Sequence, residues 1–578
     1  MAQPGEGKLS RRTFLSAGTT LAVSGGAALV FGCGGDGGRP TETTTPSGVG
    51  GPRRGGELVI GRLLNVLGID PHIDVAGLDI AELVYSRLYT WDAASDAAVF
   101  NDFATSLEVP DPEVQELIFS LRQGVKIHSH PDNPASDEEL TSEDCKQSFI
   151  RRGTAITAPD KRLALAIAGT PGPDAAALSA ALQTPDPYTF AFKLTRRYTP
   201  ALRELARPEW AIIPAAVIEK YGGSFKASFS RLAFGSGPFM LKEFRGTERI
   251  VLIRHPEYFL SPRPWLDRIT FLVNPNLAHL VSGLESGRFD AITASIGRGK
   301  YLELKDDSRF TTSRAPTFVY PCLQLKMQPP FSDLRVREAI DLALNRDRFV
   351  DAIWGGEGKY NGPVAWPLER WALPQDELRR LYPHDQERAR GLLAEAGYPD
   401  GFTVKMTLPE TESTAVFDVP KVASLIADDL STVGIRVQLH EVELGVFIAN
   451  RLLPGNFEMT LFPNTPYDEP DRPLAFYHTR GITGVGNWNN YANPEIDRLI
   501  DDQSQELDEI RRREVIHQAQ RLMIQEHGPQ ITLPSGYEYH ARWAHVHYPY
   551  EIGEPLSSDA GPWGSDVWIE EAKLDDPR

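Results

Sequence analysis

The 578-residue sequence holds only three cysteines, Cys33, Cys145 and Cys322, too few for a disulfide framework. Cys145 and Cys322 could form one bridge, but single cysteines among apolar neighbours usually act as small buried hydrophobes, so two free thiols are expected. Beyond Cys33 no further run of about twenty apolar residues occurs, and nothing there is built to span a bilayer. Basic stretches are missing as well. A net charge of -18 with no arginine-rich face argues against nucleic acid as a partner. Enzymatic signatures are scarce: no glycine loop ends in Lys-Ser or Lys-Thr, there is no nucleophile elbow, and His440-Glu441 lacks the second histidine of a zinc helix. No catalytic residue and no cofactor are expected. His128-Ser129-His130 with Asp132, Asp137, Glu138 and Glu139 is the best metal candidate. A solvated polar loop is the stronger account of it, and no metal site is assigned.

What the chain does carry begins at its start. Ser10-Arg11-Arg12-Thr13-Phe14-Leu15 heads an uncharged run from Thr13 to Gly32 that stops at Cys33. A twin arginine before a mildly apolar segment is a bacterial export address, so residues 1–33 read as a Tat-type signal peptide. Leu29 to Gly32 followed by Cys33 resembles a lipoprotein cleavage box, with Phe31 where a smaller residue is usual. Lipidation of Cys33 would tie the exported protein to a membrane through acyl chains, two or more being needed for stable attachment. The alternative is an uncleaved anchor, although Gly, Ser and Thr dilute the run. Residues 34–56 are rich in Gly, Thr and Pro, bury almost nothing and read as a disordered tether.

Order is expected from Glu57-Leu58-Val59-Ile60-Gly61, a buried strand, followed by a helix capped by Asp79 with Ile80, Leu83, Val84 and Leu88 on one face. Leu117 to Arg122 and Val125-Lys126-Ile127 read as strands paired across a turn at Gly124. Thr141-Ser142-Glu143-Asp144 opens a helix with cap chemistry. Arg249 to Ile253 and Arg268 to Val273 read as strands, while Val336, Ile340 and Leu344 share a helix face. Asn493-Pro494-Glu495 starts another helix, with Ile496, Leu499 and Ile500 inward. The protein is therefore expected to be mixed α/β, without internal repeats.

Nine segments in order over most of the chain resemble the family 5 extracellular solute-binding proteins of ABC importers. They include Gly55 to Gly61 with Ile69-Asp70-Pro71-His72, Leu83-Val84-Tyr85, Leu121 to His128, Leu140 to Lys146, Gly235-Ser236-Gly237-Pro238-Phe239 with Arg254 to Phe259, and Gly283 to Asp290. Pro330 to Ala339 is the most specific; Ala389 to Phe402 and Tyr491 to Asp497 complete the series. Each segment also has a plain structural reading. Gly235, Gly237 and Pro238 suit a tight turn, Arg335 and Arg337 anchor a helix start by salt bridges, and Gly397 ends a helix.

The resemblance implies a two-lobe, type II periplasmic-binding-protein fold of α/β class, with a hinge and an extra inserted domain on the first lobe. It places the first lobe at 57–97, 226–319 and 536–578, the inserted domain at 98–225 and the second lobe at 320–535. It implies a monomer that captures a small solute, with peptides among the candidates, and works outside the cytoplasm with the membrane subunits of an ABC transporter. A sensor on the same fold is the runner-up and a secreted hydrolase comes last. First-lobe contacts are expected from Val75, Ala76 and Gly77. On the hinge strand, Phe318 and Tyr320 alternate toward cleft or core. Second-lobe candidates are Trp366, Trp371, Tyr467, Asp468 and Trp488, with Trp366 and Trp488 expected to be presented by loops. Peptide binders of the family carry an aspartate for the ligand's amino terminus where Pro466 stands here, so Asp468 or Glu469 would have to replace it. Sugars, opines and metal chelates remain open as ligands.

Overall fold

The protein is described by a computed structural model over residues 8–10, 52–74, 77–92, 97–155, 161–170, 174–222, 231–410, 416–464, 469–483, 486–547 and 566–570. Arg11, Arg12, Cys33 and most of the tether lie outside these residues.

Glu57–Arg62 runs through the middle of a seven-stranded sheet. It is parallel to Arg268–Val273 and to Ala291–Ile292, which sets Leu58 beside Ile269 and Ile60 beside Phe271. A parallel strand covered on its faces reads as a near-continuous apolar run, which Leu58-Val59-Ile60 supplies. Arg249–Arg254 and Phe239–Arg245 extend one edge antiparallel, while Tyr537–Trp543 and Phe310–Pro316 form the other. A second sheet of five strands follows the order Ile435–Val442, Phe402–Pro409, Met459–Asn464, Tyr320–Leu325, Gln530–Thr532. Every residue of Tyr320–Leu325 is buried.

The chain passes between the sheets twice, at 316–320 and at 533–537, and the two crossings pair with each other. Thr317 N–H donates to the Gly536 carbonyl at 3.1 Å and Leu533 N–H to that of Pro321 at 3.0 Å. Apolar packing respects this division. Each hydrophobic cluster among the described residues lies either within 58–317 plus 537–569 or within 318–533.

A further sheet of four strands, in the order Ala104–Glu108, Glu116–Leu121, Thr189–Lys193, Leu182–Asp186, forms the body between the early strands of the first sheet. Its core is aromatic, with Phe149 4.9 Å from Phe190 and 5.0 Å from Trp210 between ring centroids. Glu116–Leu121 pairs with Ala104–Glu108 and Thr189–Lys193 and not with Val125-Lys126-Ile127, which instead bonds to 138–140. The expected turn at Gly124 exists, at φ 75°, but it feeds a loop and no hairpin.

Other local readings divide in the same way. Thr141 caps Ser142–Thr154 in a capping box with Asp144, and Asn493 caps Pro494–Gln505. Gly77, however, holds the cap position of Leu78–Val84; Asp79 sits within the first turn and pairs with Arg62. Gly397, at φ 93°, ends its helix as expected. Gly235 and Gly237 serve close approach more than a turn, because a Cβ there would meet the Val84 carbonyl oxygen at 2.2 Å and that of Leu83 at 2.7 Å. Arg335 pairs with Asp333, but Arg337 reaches the carbonyls of Phe331, Glu526 and His527, closing the end of the Glu509–Gln525 helix. Cys145 and Cys322 are free and buried.

The four-stranded body is fastened to the first sheet by buried polar bonds as well as apolar packing. Arg151 Nη1 donates to Asp70 Oδ1 at 2.9 Å, His72 Nε2 meets the Ala211 carbonyl at 3.0 Å, and His128 Nε2 meets the Gly237 carbonyl at 3.0 Å. Burial holds His72 well below the usual histidine range, with Arg151 adding to it. Burial, then the neighbouring His255 ring, does the same to His128, and burial lowers His255. All three are therefore neutral in the native state. As pH falls below about 6.5 the unfolded chain takes up protons that the native chain refuses, so stability falls with it. Asp102 acts oppositely: burial raises it to about 6, so below that pH the native state binds the extra proton. Between pH 7.5 and 6 the histidines dominate, and each contributes a slope of up to about 1.4 kcal/mol per pH unit. The melting temperature is expected to drop over this interval, and the drop to shrink in His128→Asn; an identical pH slope in that variant would assign the effect elsewhere.

Candidate functional site

Register fixes where a ligand site is geometrically available. Phe310–Pro316 is antiparallel to Tyr537–Trp543, which is antiparallel to Ala291–Ile292. Pro316 therefore ends at the same edge as Arg62, Val273 and Ile292, the carboxyl ends of the parallel strands. In the second sheet Tyr320 pairs with Asn464, so the chain re-enters at the edge where Pro409, Val442 and Asn464 end. The 316–320 crossing thus joins carboxyl edge to carboxyl edge, and open α/β sheets bind ligands outside such ends.

On the first side, the loop after Arg62 returns through Gly77, whose N–H donates to the Asp74 carbonyl at 3.1 Å. A Cβ on Gly77 would meet the Gly68 carbonyl oxygen at 2.2 Å, so the residue serves the loop's own close packing. Val75 and Ala76 lie outside the described residues, as do Tyr467, Asp468 and Pro466. At the crossing, Phe318 is half-buried against the cluster of the Pro494–Gln505 and Glu509–Gln525 helices. Tyr320 faces the core, fully buried beside Cys322 and Ala365, with its hydroxyl donating to the Pro363 carbonyl at 3.0 Å.

The tryptophans separate into three settings. Trp366 is 6% exposed, and its Nε1 donates to the Ser535 hydroxyl at 3.0 Å while Lys359 Nζ lies 4.2 Å over its ring. Its ring also meets Tyr537 edge-on at 5.6 Å, so it braces the 533–537 crossing. Trp371 is buried beneath the Arg512 guanidinium, 5.1 Å from its ring. Trp488 is half-buried against Phe476, Phe447 and Phe457, and its indole N–H has no hydrogen-bond partner among the described residues. The Gly-, Pro- and Asn-rich surroundings that suggested loop presentation describe backbone turns; Asn361, Ser535 and Pro363 supply those turns and the hydrogen bonds that bury Trp366 and Tyr320.

Glu469 does not stand free to meet a ligand amine. Its carboxylate pairs with Arg512 and also accepts from the Asp471 N–H at 3.3 Å, the turn role that its place before Pro470 allows. His128 of the metal candidate is bonded to backbone, and His130 packs on Phe234 at 5.1 Å. Among the described residues no group of three or more His, Cys, Asp or Glu is placed to hold a metal ion.

Sequence reasoning missed two polar groups. Glu357 of the second side receives Arg298, Arg314 and the Tyr539 hydroxyl from the first, beside the crossings. Asp471 and Arg472 meet the four-stranded body, at Arg162 with Tyr198 and at Glu209 respectively. Burial pushes Glu209 up, yet Arg207, Arg472 and Arg152 outweigh it and bring the carboxyl down to about 2. No spacing signal links residues 309 positions apart.

Truncating Trp366 removes a buried ring and two hydrogen bonds, so Trp366→Ala is expected to lower ligand-free stability by about 3–5 kcal/mol. Trp488→Phe, which keeps the ring contact and gives up a donor with nothing to bond, is expected to cost far less. Urea unfolding of the ligand-free protein reads both; equal stability for wild type and Trp366→Ala would contradict the bracing role.

No helix among the described residues is long and apolar enough to cross a membrane. The chain matches solved structures of periplasmic binding proteins. It is similar to DppA from Helicobacter pylori in complex with the peptide STSA, with a TM-score of 0.76 at 21% identity, covering 90% of this chain and 99% of that one. It is also similar to AgaA in complex with agropinic acid, from A. tumefaciens R10, with a TM-score of 0.75 at 21% identity over 89% and 99%. These likenesses fix the fold as the mixed α/β periplasmic-binding-protein type. Among curated relatives, di/tripeptide-binding protein 2 of Pseudomonas aeruginosa is 26% identical over 466 residues, covering 77% of this chain and 80% of that protein. Oligopeptide-binding protein AppA of Bacillus subtilis is 25% identical over 489 residues, 81% and 84% of the two chains. The model of the bacterial extracellular solute-binding proteins, family 5, matches residues 98–486, more than half of the sequence, and the chain belongs to that family.

Proposed function

We propose that this solute-binding protein of an ABC transporter captures a short peptide, or an amino-acid conjugate of similar size, by closing two lobes on it and delivers it to the membrane subunits. The carrying observation is the junction of carboxyl edge to carboxyl edge through two paired crossings, with apolar cores kept apart on either side. Two bodies that share a hinge and no core can rotate as units, and a ligand touching both favours the closed form by its differential contacts. The lobes are taken as 57–97, 226–319 and 536–578 for the first and 320–535 for the second, with 98–225 inserted. The protein acts as a monomer and carries out no chemistry on its solute.

Peptide capture is supported by the relatives' names. An opine ligand is supported by the AgaA likeness and by Pro466, which leaves the usual amine-pairing position without a charge. The first-side ligand contacts are taken from 75–77 and the second-side ones from 467, 468 and the half-buried Trp488, with Phe318 at the hinge.

Ligand at a hundredfold excess over its dissociation constant stabilises the protein by about 2.7 kcal/mol. A thermal-shift screen over di- and tripeptides, their N-acetylated forms and opines is therefore expected to find a class that raises the melting temperature. With Pro466 at that position, acetylation is expected to leave a peptide's shift largely intact. Loss of the whole shift on acetylation would mean that a carboxylate elsewhere holds the amine, and silence of every class would remove these ligands.

The chain is also proposed to reach its place of work through the Arg11-Arg12 signal and to be held there by lipid on Cys33. Cys33→Ser is expected to release folded protein from the membrane fraction. Retention after that change would indicate an uncleaved anchor. Changing Arg11 and Arg12 together to Lys should leave precursor inside the cell.

A further inference from the structure

We propose that the inserted domain is a second jaw of the clamp, latched to the second lobe through Asp471, so that closure is set by this joint as well as by the solute. This rests on the clamp reading above and adds to it a working surface away from the ligand.

The inserted domain has two joints of opposite character. Toward the first lobe it shares apolar cores: Leu88 and Tyr89 enter its aromatic cluster, while Ala211, Ile213 and Val217 enter the first sheet's cluster. Toward the second lobe no hydrophobic cluster spans the joint among the described residues, and the contacts are ion pairs and hydrogen bonds. Arg162 pairs with the Asp471 carboxylate and donates to its carbonyl at 2.7 Å, and the Tyr198 hydroxyl donates to Asp471 Oδ2 at 3.0 Å. Gln503, from the second lobe itself, holds the other carboxylate oxygen. Next to it Arg472 reaches Glu209 at 3.4 Å.

Thr199 completes the joint. Its N–H donates to the Ser504 carbonyl at 2.7 Å and its hydroxyl to the Glu506 carbonyl at 2.9 Å, so the inserted domain satisfies orphan carbonyls at the end of the Pro494–Gln505 helix. An apolar joint is costly to expose to water, whereas polar groups parted from each other are solvated. The joint to the second lobe is thus the one that can open. Burying ion pairs costs desolvation nearly as large as the attraction it gains, which leaves closed and open forms close in free energy while still fixing one closed register. A clamp needs that near-balance, since a ligand shifts a two-state equilibrium only by its own differential affinity.

The Thr199 amide is a local reporter, protected from exchange only while the jaw is shut. Hydrogen exchange and small-angle scattering on the ligand-free mature chain would compare wild type, Arg162→Ala, the milder Tyr198→Phe, and Arg309→Ala, an exposed pair within the first lobe, as control. Arg162→Ala is expected to speed exchange at Thr199 about tenfold and to raise the radius of gyration, with Tyr198→Phe in the same direction and the control unchanged. Amides of the Thr189–Lys193 strand should keep their protection in all four proteins. Unchanged exchange at Thr199 in both variants, or a rise spread evenly over the inserted domain, overturns the latch. A ligand-induced thermal shift with no change in scattering would instead overturn the clamp, whatever the variants do at Thr199.

Discussion

The pairing of segment 316–320 with 533–537 is the constraint on which the rest of the architecture depends. Both segments leave a sheet at its carboxyl edge, and two backbone hydrogen bonds hold them side by side. One such crossing would let the second sheet swivel about any bond of a single strand. Two paired crossings restrict such swivelling and leave mainly a bend across the pair, which brings the carboxyl edges together or apart. Trp366 fixes the inside of that bend through Ser535 and Tyr537, and Glu357 gathers Arg298, Arg314 and Tyr539 beside it. Aromatic packing and charge therefore brace the hinge beside the carboxyl edges.

The same division explains where polar groups are buried. Between the inserted domain and the first sheet, Asp70, Arg151, His72 and His128 are buried and bonded to one another or to backbone. Breaking such a cluster would leave buried charge uncompensated, so it acts as a permanent weld. Between the inserted domain and the second lobe, Tyr198, Glu209, Asp471 and Arg472 are buried as well, but no apolar cluster spans the contact among the described residues. Burial alone does not separate these cases; a shared apolar cluster does.

Much of the scaffold could be read in the sequence because burial leaves a period. Leu58 and Ile60, the Thr141 capping box, and Ile496, Leu499 and Ile500 after Asn493 each sit as their spacing implied. What failed were statements about partners. Val125-Lys126-Ile127 has the composition of a strand but bonds to 138–140, because neighbouring strands chose 104–108 and 189–193 instead. Gly235 and Gly237 looked like turn residues, and the need for them comes from the Val84 and Leu83 carbonyls, more than a hundred positions away. Local pattern reports which face is apolar and is silent on what covers it. The surroundings of the candidate site residues were the least legible, since Trp366 and Trp488 have similar neighbours in sequence and different ones in space.

The charges at the second lobe's edge bear on what kind of solute can be selected. Glu469 is held by Arg512, Asp471 by Arg162, and Arg472 by Glu209, so the segment from 469 to 472 spends its formal charges on the protein's own geometry. A ligand amine brought to this segment would have to displace a guanidinium already in place, at the desolvation cost of the arginine left behind. With Pro466 also uncharged, selectivity there would come from shape, backbone hydrogen bonds and aromatic surface such as Trp488, whose indole donor is unmet among the described residues. A site of that kind would distinguish solutes by size and by neutral polar groups. It would tolerate a range of amino termini and leave charge recognition to the first lobe's side of the cleft.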